Sequence, residues 1–177
     1  MYEDSYLELP QAKILAVRGP LSAKGLRGEG NISLGDPGLL ASLLVSPQAV
    51  KYDLGVIPHW SDQDLVKRFA YGHLISPRNG AMFVISEIAK CRRIVTSSLH
   101  GTIVADSFGI PRQVELPPRL LQEKEGGSFK YNDYASLYGP PSKYTNFGKM
   151  AEVPRERVDQ VKRELEAAFK VLIEGLE

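Results

Sequence analysis

The densest run of chemistry-bearing side chains is Thr96-Ser97-Ser98-Leu99-His100-Gly101-Thr102, where an apolar stretch passes into hydroxyls, a histidine and a glycine before "IVADSF" resumes a helical pattern. A helix starting there leaves its first N–H groups unpaired and carries about half a positive charge at that end, which stabilises a phosphate or carboxylate. Ser97 or Ser98 can cap the helix or donate to an oxyanion, His100 can give a proton, and Gly101 lets a ligand approach the backbone. The same residues also suit a capped, buried helix whose histidine makes one structural hydrogen bond. Arg18, in "VRGPLS", either forks onto an anionic ligand or pairs with a carboxylate of the fold. Asp36, in "LGDP", either caps the turn opened by Pro37 or acts as an acid or base. His59, in "IPHW", is an acid, base or phosphate donor, or packs beside Trp60 on the surface.

Several chemistries are disfavoured. Three histidines and one cysteine without close ligand spacing argue against zinc, so no metal is expected. No GxxxxGK[ST] or GxGxxG follows a strand, against a P-loop NTPase or a standard dinucleotide fold, and no GxSxG elbow is present.

The elements that must position these residues alternate between strand and helix. "AKILAV" (12–17) reads as a strand ended by Arg18-Gly19-Pro20, and "PLSAKGLRGEG" as a short helix. "ISLGDP" reads as a second strand and "GLLASLLV" as a buried helix. "KYDLGVIP" followed by "QDLVKRFAY" is a strand and helix unit. "GHLISP" with "NGAMFVISEIAKC" is another, its helix face set by Met82, Ile85, Ile88 and Ala89. "RRIVTS" with "SLHGTIVADSFG" is a third, and "IPRQVEL" adds a strand. Alternation with helices of this length predicts right-handed crossovers and an α/β fold, a Rossmann-like, doubly wound, mostly parallel sheet. Ligands of such sheets gather outside the carboxyl ends of the strands, where Arg18, Asp36, His59, Arg78, Asn79, Ser97, Ser98, His100 and Glu115 all fall. Residues 117–130, charged and Gly-rich, read as a mobile loop. "YNDYASLYGPP" reads as a helix ended at Gly139. Val158, Val161, Leu165, Phe169 and Leu172 mark an amphipathic C-terminal helix over 154–174.

With 177 residues, 43% of them hydrophobic, residues 1–177 are expected to form a single domain with its own core. Twenty-two Lys and Arg against 21 Asp and Glu give a net charge of +1, so no overall field attracts nucleic acid or an anionic membrane. No apolar run reaches the roughly 18 to 20 residues of a membrane span, so no transmembrane segment is expected. Glu3, Asp4 and Glu8 occupy the place of a secretory leader's basic stretch, and the expected location is the cytoplasm. Cys91 is the lone cysteine, which suits a reducing compartment and a small buried side chain.

"VTSSLHGTIVADSFGIP" resembles the C-terminal signature of the polysaccharide pyruvyl transferase family. "VRGPLSAKGL", "LGDPGLL", "VIPHW" and "KYNDYASLYG" resemble further segments of that family, in the same order. The resemblance implies one half of a GT-B-like fold and transfer of the pyruvyl group from phosphoenolpyruvate, with no other cofactor, onto two hydroxyls of a sugar as a cyclic ketal. The acceptor implied is a lipid-linked or polymeric precursor of an exopolysaccharide or cell-surface polysaccharide. On this chain His100 would be the acid or phosphate donor and Arg18 the clamp on the donor anion. The Ser98-Leu99-His100-Gly101 backbone, with Ser97 and Thr102 beside it, would complete the cradle, with His59 and Asp36 in secondary roles. Such transferases carry an N-terminal domain of similar size, whereas here the first strand starts about a dozen residues after Met1. The expected partner is accordingly a separate N-terminal domain or a second copy of the chain. The alternative is a non-catalytic module of polysaccharide biosynthesis that binds a phosphorylated ligand or docks a partner.

Overall fold

The computed structural model describes residues 13–26, 32–46, 48–60, 62–116, 127–144 and 147–175. The apolar runs around residues 52–57 and 91–96 become the longest strands, β3 (Tyr52–Ile57) and β5 (Cys91–Thr96), which pair in parallel with Ile57 opposite Thr96. Their inward residues Leu54, Val56, Ile57, Ile94 and Val95 are all buried. Chain order then builds outward. After β3 come α3 (Gln63–Arg68) and β4 (His73–Leu74) on one side; α4 (Ala81–Ala89) carries the chain back across β3 to β5. α5 (Leu99–Phe108) leads to β6 (Arg112–Val114), which lies beyond β5. The strand order is β4-β3-β5-β6-β7, parallel except for β7 (Met150–Ala151), which runs antiparallel to β6. The mostly parallel α/β sheet is therefore present, and the connections diverge between β3 and β5.

The first two strands depart from expectation. β1 (Ala16–Val17) and β2 (Ser33–Leu34) pair in parallel with each other in a separate ladder instead of extending the main sheet. Two short strands satisfy one another, with Gly35 N–H donating to Val17 C=O at 2.8 Å, and their packing surface is the C-terminal helix α8 (Arg155–Glu174). There Ser33 Oγ donates to Glu164 C=O, and Gly35 faces Val161 and Leu165. α1 (Pro20–Lys24) connects the two strands. "GLLASLLV" forms a 3-10 turn, Pro37–Leu40, followed by the single-turn α2 (Ala41–Leu44).

Apart from His100 at its start, α5 is buried from Leu99 to Ser107, as a helix between two packed layers must be. Ile103 joins Leu39, Val114, Tyr134, Val158 and Leu165 on one side, and Val104 and Ala105 join Ile57, Ile75, Ile88 and Ile94 on the other. α4 turns Ile85 and Ile88 of the face read off its spacing inward and half-buries Ala89, but Met82 departs from it. Ile85, Glu87 and Ile88 are buried, whereas Met82 is 51% exposed. Glu87 can be inside because Lys90 Nζ donates to its Oε1 at 2.6 Å and the His73 ring meets its Oε2 at 2.7 Å. Cys91 is buried, as anticipated, and burial pushes its thiol up to about 12.

α6 (Phe129–Ala135) starts two residues before the expected helix and draws residues 129 and 130 out of the segment read as a loop; 117–126 lie outside the described residues. α7 (Pro141–Tyr144) follows. In α8 the buried stripe is Val158, Val161 and Leu165, while Phe169 and Leu172 are exposed. Among the described residues no helix is long and apolar enough to cross a membrane.

Candidate functional site at the divergence of β3 and β5

Where the connections on either side of two neighbouring strands diverge, a parallel sheet opens a crevice at its carboxyl edge. Here that edge carries Pro58-His59-Trp60 after β3 and Ser97-Ser98 after β5. The two loops are tied together: the His59 N–H donates to Ser97 Oγ at 2.8 Å, and Thr96 Oγ1 donates to Ile57 C=O at 2.8 Å. Ser97 is fully buried, so its hydroxyl serves the fold by fixing His59. Ser98 is the N-cap of α5, its Oγ accepting from Gly101 N–H at 3.4 Å, and its C=O accepts from Thr102 N–H and Oγ1.

Leu99, Gly101 and Thr102 are buried too. The fold itself requires a glycine at 101: a methyl group there would lie 2.5 Å from Thr96 Oγ1. With Gly101 N–H taken by the cap, the Leu99 and His100 amides are the ones left at the helix start. The His100 side chain is exposed beside them. Of the seven residues from Thr96 to Thr102, it is the group presented to solvent, with Ser98 half-buried.

Arg18 and Asp36 meet each other. Arg18 Nε lies 3.4 Å from Asp36 Oδ2, with the arginine side chain 34% exposed and the aspartate nearly covered. Asp36 also caps the 3-10 turn, accepting from Gly38 N–H at 2.9 Å. Both structural alternatives read from the sequence are realised at once, yet the guanidinium keeps open edges that can fork onto an anion.

Two contacts connect this pair to the His100 loop. The 36–42 segment runs alongside α5: a methyl group on Gly38 would lie 3.0 Å from Ile103 Cγ2, and Ser42 N–H donates to Ser107 Oγ. Asp36 and Arg18 consequently lie toward the end of α5 that bears His100. α6 supplies the second link. Tyr131 Oη donates to Ser97 C=O at 3.0 Å, while two residues further on Asp133 accepts from Ser22 N–H at 2.9 Å and Ser22 Oγ at 2.6 Å. Gly19 is pressed against the Asp133 carbonyl, leaving no room for a side chain next to Arg18. Asp133, fully buried, is thus the residue that holds the Arg18 turn, and the sequence reading missed it; Ser22 is 111 residues away. The one available hint was its place in "YNDY", an acid set among aromatic residues.

His59 is half-buried and its ring meets that of Trp60 at 5.6 Å. It lines a cleft of about 170 Å³ with Trp60, Ser76 and Arg78. Glu115 is engaged elsewhere, by Arg68 at 2.6 Å and Gln113 at 2.6 Å. Among the described residues no three His, Cys, Asp or Glu side chains gather as a metal ligand set.

A helix start whose first amides have no intrahelical partner, an exposed imidazole and, elsewhere on the same side of the fold's linked loops, a partly open guanidinium are each chemistry for an anion or a proton. Comparison with known proteins identifies the family. The family model for polysaccharide pyruvyl transferase matches residues 8–112, which include Arg18, Asp36, His59 and the whole Thr96–Thr102 run. Succinoglycan biosynthesis protein ExoV of Rhizobium meliloti (strain 1021) is 29% identical over 133 residues, 71% of this chain and 40% of its own length. An uncharacterized protein of Acanthamoeba polyphaga mimivirus is 28% identical over 126 residues, 64% of this chain and 42% of its own. The chain therefore spans about two fifths of the length of these curated relatives. No solved structure matches. On a family match that covers more than half of its residues, the chain belongs to the polysaccharide pyruvyl transferase family.

Proposed function

We propose that this chain supplies the donor half of a pyruvyl transferase site, one GT-B-like half that takes phosphoenolpyruvate and delivers its pyruvyl group as a ketal to a sugar of an exopolysaccharide precursor. The observation that carries the proposal is the exposed His100 at the start of α5, beside amides with no partner in the helix. Phosphate binds the Leu99 and His100 N–H groups, and the substrate carboxylate takes the open edge of Arg18. His100 gives its proton to the methylene carbon, the π pair forms the new C–H bond, and positive charge develops at the carbon bearing the phosphate. One sugar hydroxyl adds there. The C–O bond to phosphate then breaks as the second hydroxyl closes the ring. Of the two hydroxyl protons, one restores His100 by way of His59 and the other leaves with inorganic phosphate.

The test is calorimetric titration of the protein with phosphoenolpyruvate, with inorganic phosphate and pyruvate as controls. Selective binding that His100→Ala loses is the expected result, together with a fall of about 10² to 10⁴ in phosphate release with acceptor present. Unaltered phosphoenolpyruvate affinity in both His100→Ala and Arg18→Ala would place the donor elsewhere.

A further inference from the structure

Trp60 is the only tryptophan of the chain, and it is 65% exposed. Its surroundings explain what an indole can do there. It forms one wall of the 170 Å³ cleft between the loops that follow β3 and β4; Pro58, Val66 and Leu74 make the apolar part, and His59, Ser76 and Arg78 the polar part. The loop after β4 is folded by two bonds, Arg78 N–H to Ser76 Oγ at 3.3 Å and Asn79 N–H to Ser76 C=O at 3.2 Å, which set Arg78 at the rim. Most exposed arginines here are paired, Arg68 with Glu115, Arg92 and Arg93 with Asp53, Arg155 with Asp159. Arg78 has no ion pair among the described residues, and no carboxylate lines the cleft.

An exposed indole face with an apolar floor suits the C–H face of a pyranose ring, and hydroxyl and imidazole groups at the side suit its hydroxyls. The unpaired guanidinium adds a requirement for negative charge. The volume lies well below the 300 Å³ or so at which drug-sized ligands start and is of the order of a single ring. We infer that this cleft is a subsite for one sugar ring carrying an anionic group, a carboxylate or a phosphate. His59 links the two, lining the cleft while its N–H bonds Ser97, so a sugar held there lies near the loop that leads into His100. Its place as the acceptor subsite rests on the pyruvyl-transfer proposal; the binding itself does not.

Because Trp60 is the sole indole, its fluorescence reports on this cleft directly. The protein is titrated with glucuronate and with glucose 1-phosphate, against glucose and inorganic phosphate. A saturable change with one or both anionic sugars, about tenfold or more weaker for glucose and weakened to the same extent in Arg78→Ala, is the expected result. The arm that responds identifies carboxylate or phosphate as the group read. No saturable change with either anionic sugar, equal affinity for glucose, or an unaffected Arg78→Ala overturns the inference. Phosphoenolpyruvate binding, followed by calorimetry on the same samples, should survive Arg78→Ala and fail in His100→Ala. Sugar binding without any phosphoenolpyruvate binding would sink the transfer proposal and leave the cleft standing.

Discussion

The two ends of α5 handle polar groups in opposite ways. At its C-terminal end Asp106 is fully covered, yet Arg112 grips it through Nε at 3.1 Å and Nη2 at 3.2 Å, Tyr134 Oη donates to it at 3.0 Å, and Tyr138 Oη donates to Tyr134. The remaining guanidinium nitrogen donates to Tyr144 C=O at 2.8 Å. Burial pushes the Asp106 carboxyl up, against the pull of Arg112 and Tyr134, and nothing in this cluster reaches solvent. At the N-terminal end of the same ten-residue helix, the imidazole of His100 stands in solvent and the first amides have no intrahelical partner. A saturated cluster holds the fold together, whereas an unsaturated one can take a ligand. The contrast separates saturated from open polarity within a single helix.

That contrast can be broken most forcefully at the saturated end. Asp106→Ala strands a buried guanidinium and should cost about 3 to 5 kcal/mol in urea unfolding; a loss below about 1 kcal/mol would mean that water enters the cluster. Asp133→Ala removes the buried acceptor of the Ser22 amide and hydroxyl and should cost about 1.5 to 3 kcal/mol, loosening the Arg18 turn as well. Its signature beyond stability is weaker phosphoenolpyruvate binding, rescued in part by Asp133→Asn. Ser98→Ala takes away a long cap and should lose about 1 kcal/mol or slightly less. His100→Ala, at the open end, should leave the unfolding midpoint within about 0.5 kcal/mol of the parent while abolishing function.

The smallest effect is a pH dependence away from both ends. Lys90, and to a lesser degree His73, hold the Glu87 carboxyl below its ordinary 4.5 against the opposing cost of burial. The folded chain then binds fewer protons than the unfolded one, so this contribution is complete above about pH 4.5 and is lost as pH falls through the lower folded value. Glu87→Gln should flatten that acid limb in thermal unfolding measured from pH 3 to 6.

Much of this was legible in residue order. The apolar runs at β3 and β5 and the hydroxyl-rich run that follows β5 announce a parallel sheet and its carboxyl edge, because burial on both faces and a capped helix start leave local signatures. Local signals fail where the deciding contact is distant. The strand ending at Val17 has an apolar pattern that says nothing about which partner it will choose, and α8, more than a hundred residues on, offers the surface that draws β1 and β2 away from the main sheet. Met82 is the other misassignment: spacing puts it with Ile85 and Ile88 on the apolar face, yet it is exposed, while Glu87, bonded by Lys90 and by the His73 ring, is buried. For the candidate site, His100 stood out by type, while the pairing of Arg18 with Asp36 and the clamp by Asp133 are properties of the folded chain alone.

The antiparallel β7 has a consequence for how these molecules behave in a crowd. The outer strands of the main sheet, β4 and β7, contribute two residues each to its ladder, so a neighbouring chain finds too few free backbone groups to zip onto at either margin. A sheet whose long, apolar strands are all interior, and whose margins are this short, resists strand-to-strand aggregation by its own layout.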